Sequence, residues 1–207
     1  GYQTTRYATS GFPVDFTIGK KRGGASNWYG YDRLRGGKKD IRPNETSTQG
    51  NNSPAPVQFD FNDKIRTQLF NSSDTIIWPM WMRARGFFDA VVYLGGGVAH
   101  TVNHNLGVVP EMMWVKNRDN AENWAVYHKD IGATKYLQLN TTQAATTSAS
   151  RWNNEGPTAT EFTVGTDTEV SHYTRAFIAY LFASLDGVSK VGSVTHSFNS
   201  TTNVDCG

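Results

Sequence analysis

The sequence predicts an all-β protein of tandem antiparallel two-layer units. Three observations carry that prediction: the composition, a series of short apolar runs, and a motif set that recurs at fixed spacing. Of 207 residues, 38% are hydrophobic and 18% charged, below the ~45–50% and ~25% usual for globular chains. Thr, Ser, Asn and Gly fill the difference, and six Trp raise the aromatic share to 13%. So many rings exclude a disordered acidic tail. The composition also lacks the Ala, Glu, Lys, Leu and Arg heptads of a coiled coil. No apolar run approaches the ~18 residues that a membrane-spanning helix requires.

The runs read as strands in chain order. Residues 14–18, 90–94, 112–115, 136–139, Glu161–Val164 and 177–182 are rich in β-branched and aromatic side chains, with Gly, Asn, Asp and Thr turn signals between them. The segment 176–185 is apolar enough for a buried helix. Its counterpart Ile76-Ile77-Trp78-Pro79-Met80-Trp81 carries a central proline, which costs a helix about 3 kcal/mol. Both therefore read as strands, with Pro79 on an edge or at a bulge. The polar tracts 42–56 and 141–160 read as long surface loops.

Repetition sets the organisation. Asn27-Trp28 recurs 96 residues on as Asn123-Trp124, and at the same offset Lys20, Arg22, Tyr31 and Asn44 match Lys116, Arg118, Tyr127 and Asn140. Later the offset grows to 101, aligning Trp81 with Phe182 and Gly86 with Gly187. The predicted units are 1–86, a first copy with a truncated start; 87–187, a full second copy; and 188–207, the first strand of a third, where Cys206-Gly207 repeats the Leu106-Gly107 position. Several short strands in about 100 residues suit a two-layer sandwich. Trp28 and Trp124 are expected to anchor the two cores.

Net charge is +2, so no polyanion partner is implied globally. The excess is local: residues 1–86 hold 13 Lys/Arg against 7 Asp/Glu, and residues 87–207 hold 7 against 11. The clusters at 20–22 and 33–39 could attract an anionic glycan. Arg33, Arg35, Lys38 and Lys39 are the expected contacts, with Tyr29 beside them as an exposed ring. No nucleic-acid-binding module surrounds these clusters, so nucleic acid is not expected. Cys206 is the one cysteine, which excludes an internal disulfide. His100 and His104 are four apart, but Gly and Asn turn signals around them argue against a helical zinc site. The carboxylates Glu111, Asp119, Glu122 and Asp130 do not form a pair that recurs in the first copy, and no nucleophile elbow or phosphate loop is present. The expectation is no catalysis, cofactor or metal.

Several segments together resemble a known family. They are Leu106-Gly107-Val108-Val109-Pro110-Glu111, Val115-Lys116-Asn117-Arg118, Glu122-Asn123-Trp124-Ala125-Val126-Tyr127-His128, Lys135-Tyr136-Leu137-Gln138-Leu139-Asn140, Phe162-Thr163-Val164-Gly165 and Ala179-Tyr180-Leu181-Phe182-Ala183. The chain is similar to the tandem repeat domain of tail-fibre and tail-adhesin proteins of tailed bacteriophages of marine bacteria and cyanobacteria. The first copy shares it through Ala25-Ser26-Asn27-Trp28 and Phe59-Asp60-Phe61-Asn62-Asp63. The resemblance implies lectin-like or jelly-roll sandwiches in a virion structural protein, acting outside the cell in host attachment. The implied partners are further copies of the chain, as a homo-oligomer such as a trimer, other tail proteins and a host-surface glycan, with no membrane insertion. A carbohydrate-binding module or glycan-active enzyme fragment, and a bacterial extracellular adhesin, are the competing classes. The ends of the chain read as cuts within a longer protein.

Overall fold

The computed structural model describes residues 6–71, 73–196 and 201–204. In chain order its strands are β1 (Arg6–Thr9), β2 (Phe16–Lys21), β3 (Tyr29–Asp32), β4 (Val57–Gln58), β5 (Lys64–Thr67), β6 (Ile76–Ile77), β7 (Met80–Trp81), β8 (Phe88–Leu94), β9 (His100–Asn103), β10 (Met112–Asn117), β11 (Ala125–His128), β12 (Lys135–Gln138), β13 (Thr146–Thr147), β14 (Glu161–Val164) and β15 (Ala176–Phe182). One short helix, α1 (Ala149–Trp152), interrupts them. Every ladder among them is antiparallel.

Three buried clusters join the sheets. The largest sheet runs β13-β12-β11-β10-β15-β8, and the pair β14-β9 lies against it. Between them sit Met113 and Val115 of β10, Phe177, Ala179 and Leu181 of β15, and Phe162 and Val164 of β14. The alternate residues Ile178, Tyr180 and Phe182 point the other way, into a cluster shared with Phe16 and Ile18 of β2. This is why 177–182 is continuously apolar: a central strand buried on both faces loses the polar alternation of a half-buried one. The third cluster, with Val14, Tyr31, Val57 and Ile65, joins the β3-β2-β6 sheet to β1-β5-β4. Both middle sheets are thus covered on both faces.

Pro79 lies between β6 and β7, on the outer side of β2. The register runs through it unbroken, Phe16↔Trp81 and Thr17↔Met80 on one side and Lys20↔Ile77 on the other, so no bulge forms. Pro79 cannot donate, but its carbonyl accepts from Ile18 N–H at 3.1 Å and from Thr17 Oγ1 at 2.9 Å. The edge placement avoids the lost ladder bond a central proline would impose.

Matching positions make matching bonds. β2 pairs β3 with Phe16↔Asp32, and β10 pairs β11 with Met112↔His128. Trp81 pairs with Phe16 as Phe182 pairs with Met112. Arg33 Nε meets Asp15 Oδ1 at 3.0 Å and Lys129 Nζ meets Glu111 Oε1 at 2.8 Å. The second oxygen of each acid accepts a backbone N–H, from Arg83 at 2.7 Å and from Ser184 at 2.9 Å. The bridge Ala84↔Phe88 has its counterpart in Leu185↔Ser189. The turns inside those bridges hold Gly86 and Gly187 at φ of 78° and 71°, a conformation that excludes most L side chains.

Two expectations are corrected. The tract 141–160 is not only surface loop: β13 and α1 lie within it, and α1 buries Trp152 against Tyr127 at 6.0 Å between ring centroids. Trp28 and Trp124 do not both anchor cores. Trp124 is 0% exposed and Trp28 38%. The predicted repeat of Leu106-Gly107 at Cys206-Gly207 lies outside the described residues.

Candidate functional site

The two tryptophans are held by the same device. Asn44 Oδ1 accepts the Trp28 backbone N–H at 2.9 Å, and Asn44 Nδ2 donates to Asn27 Oδ1 at 3.0 Å. Asn140 does the same for Trp124 and Asn123, both at 2.9 Å. Each bracket fixes the entry to a strand, β3 or β11, and the orientation of one amide. What differs is the ring. The Trp124 indole N–H donates to Arg42 O at 3.0 Å, and the ring lies 6.4 Å from Tyr180 in the shared cluster. Trp28 instead lines an open groove of about 300 Å³ with Pro43, Asn44, Leu139 and Asn140. Residues 43–44 and 139–140 are counterparts at the offset of 96, so both halves of the chain contribute equivalent positions to one groove.

The basic loops are mostly neutralised from within. Arg35 is not at the surface: its side chain and that of Asp32 are both 0% exposed, with Nε at 2.5 Å from Asp32 Oδ2. Tyr180 Oη donates to the same oxygen at 2.6 Å and accepts from Arg35 Nη2 at 3.3 Å. Burial pushes the Tyr180 hydroxyl well above its ordinary range, so it stays protonated and donating. Arg35 is thereby removed as a glycan contact. A guanidinium this buried persists only when paired, and sequence reasoning missed the partner 145 residues away. Arg33 is exposed but bound to Asp15 and to Val14 O. Lys21 pairs with Asp74 at 2.7 Å. Lys38 is exposed and Lys39 half-buried. Tyr29 is half-buried, with the Arg42 guanidinium 5.2 Å over its ring and Phe70 edge-on at 5.6 Å. The expectation of an open Tyr29 gives way to an open Trp28 next to it.

Several of the other candidate side chains make structural contacts. Burial opposes ionisation of Glu111, but the Lys129 and Ser184 hydrogen bonds outweigh it and hold the carboxyl below its usual value. Asp119 accepts the Ala176 N–H at 2.7 Å, tying β15 to the 117–120 turn. Lys116 is buried, and its ammonium donates to Thr46 O, Asn117 O and Asn120 O at 3.2, 2.8 and 3.3 Å. Desolvation lowers its pKa to about 8. His104 sits under Phe162 with Nε2 3.2 Å from Thr158 O, and burial lowers its pKa too. His100 Nδ1 lies 2.9 Å from Val98 O. Among the described residues no group of three or more His, Cys, Asp or Glu is placed to hold a metal, and no helix is long and apolar enough to cross a membrane.

Fold and site together define an antiparallel all-β protein with an open aromatic–amide groove to which both halves of the chain contribute. Within that class the chain belongs to the family of the domain of unknown function DUF7483, whose model matches residues 69–207. The matched span takes in β6 and β7 as well as everything after them. No curated protein and no solved structure matches the chain.

Proposed function

We propose that the chain is a non-enzymatic structural segment of an extracellular fibre of the phage tail-fibre or tail-adhesin type, contributing to attachment at a host surface. Its two halves are read as tandem copies of one β-sandwich unit, followed by the opening of a third. The observation that carries the reading is the matched hydrogen-bond lattice. The Asp15/Glu111 acid pairs, the Asn44/Asn140 brackets and the Ala84–Phe88/Leu185–Ser189 bridges all fall at the offsets of 96 and 101. Duplicated composition alone would not reproduce bond for bond. Units of this kind stack into extended arrays, each touching its neighbours, and fibres close exposed sheet edges by assembling copies of the chain. The sequence resemblance supplies the virion context, a homo-oligomer such as a trimer, and tail proteins as partners.

The test is immunogold labelling of particles and cells from the source culture with antibody raised against this chain, joined to sedimentation of the intact protein. Label on particle tails and a sedimenting homo-oligomer support the proposal. Label confined to cell envelopes overturns the virion part in favour of a bacterial adhesin. Hydrolysis of a surface polysaccharide by the purified protein overturns the non-enzymatic part.

A further inference from the structure

We infer that the groove at Trp28 binds a neutral pyranose sugar, with the indole as stacking platform and the amides of Asn44 and Asn140 as its polar contacts. The inference takes up the attachment part of the reading above, but its grounds are the groove's own. Trp28 occupies the position whose counterpart is the fully buried Trp124, yet its ring is 38% exposed. Nothing in the local backbone requires that exposure, because the bracket that holds the main chain is the same in both halves. An indole in this setting offers a broad apolar face with a polar N–H at its rim. At about 300 Å³ the groove is at the small end of ligand sites.

The flanking chemistry narrows the ligand. Each asparagine uses one amide N–H on its neighbour, Asn27 or Asn123, and its oxygen on a tryptophan N–H. A second N–H remains on each amide, held in a fixed direction by those bonds. Two preset donors beside an apolar platform match a ring with one C–H face and a rim of hydroxyls. Ordering the site costs little at binding because the brackets have already fixed it. The nearest charged groups neutralise one another: Arg42 meets Glu45 at 2.9 Å and Asp40 at 3.4 Å. The five lining residues carry no charge, which favours an uncharged sugar over a sulfated or uronic one and over a phosphate backbone.

The experiment uses the full chain with methyl glycosides of glucose, galactose, mannose and N-acetylglucosamine, and with glucose 6-sulfate, methyl glucuronide and a short single-stranded oligonucleotide as contrasting probes, read by saturation-transfer NMR and calorimetric titration. At least one should bind with millimolar affinity. Trp28→Ala should weaken it at least tenfold with an unchanged denaturation midpoint, and Trp28→Phe should retain part of it through the remaining ring. The triple variant Arg33→Ser, Lys38→Ser, Lys39→Ser should bind as wild type does. Failure of all four sugars overturns the inference, as does binding that survives Trp28→Ala. So does binding restricted to sulfated or uronic sugars and lost in the triple variant, or binding of a short single-stranded oligonucleotide with no response to sugars. None of these outcomes touches the labelling and sedimentation tests, so failure here is distinguishable from failure of the virion reading.

Discussion

Removing one oxygen from Tyr180 should loosen the contact between the two halves of the chain. Tyr180→Phe keeps the ring stacked on Phe16 at 4.0 Å and deletes only the hydroxyl. That hydroxyl donates to Asp32 at 2.6 Å and accepts from Arg35 at 3.3 Å. A hydrogen bond to a buried charge contributes about 1.5–3 kcal/mol. The Asp32–Arg35 ion pair stays in place in this variant, so a loss of about 2 kcal/mol is expected. Arg35→Met should cost more, about 3–5 kcal/mol, because it leaves the fully buried Asp32 carboxylate without its cation. The assay is guanidinium denaturation followed by circular dichroism, with the midpoint falling by roughly half a molar for Tyr180→Phe at unchanged slope. The double variant should show coupling above about 0.5 kcal/mol, since both groups address the same Asp32 oxygen. A Tyr180→Phe protein within about 0.5 kcal/mol of wild type would refute the reasoning, because that is the range of a surface substitution.

Three further outcomes are expected. Trp124→Ala should destabilise by about 3–5 kcal/mol, whereas Trp28→Ala should change the denaturation midpoint by no more than a surface substitution does; equal losses would contradict the difference in burial between them. Glu111 has its carboxyl held below the usual 4.5, so its contribution is fully present above that value and lost as pH falls through the folded one. Thermal melts of Glu111→Gln should therefore be flatter than wild type across the acid range below about pH 4.5, and an unchanged acid slope would count against the Lys129–Ser184 network. Gly107→Ala should cost more than Gly11→Ala. Both sit at φ near 80°, but a methyl at 107 meets the Arg85 guanidinium at 2.8 Å, so that flexible side chain must swing aside and the excess is small, whereas one at 11 meets nothing within 4 Å. Chemical denaturation of the pair reads the difference directly, and a reversed order would remove the Arg85 contact from the account.

The strands were legible because their signal is local. Runs of β-branched and aromatic residues between turn signals placed Glu161–Val164 to the residue and β8, β10, β12 and β15 within a few. The offsets of 96 and 101 were legible as well, and the structure places equivalent bonds at them. Burial of individual side chains was not legible, because the other half of the chain decides it. Trp28 and Trp124 share the Asn before them and the Tyr three residues on, and what buries one of them is distant in the chain: Trp124 packs into the cluster with Tyr180 and donates to Arg42 O. Arg35 looked like part of a basic surface loop; its acid three residues before was visible, but Tyr180 was not. The same holds for Trp152, whose polar surroundings in 141–160 hide that α1 folds back onto Tyr127.

Across the middle cluster, side chains meet their own counterparts. Trp81 lies 6.3 Å from Phe182, and Pro43 and Asn44 share a groove with Leu139 and Asn140. Self-matched contact of this kind is what a two-fold dimer interface shows, here drawn within one polypeptide. Such a surface is satisfied once. After one half has covered the other, the aromatic face of β2 and β15 is no longer open to a further neighbour on the same terms. Under the proposed tandem reading, a longer chain of such units would grow in couples, and its count would matter: excising two units should leave the remainder intact, while excising one should strand an aromatic face in water and favour association of chains to cover it.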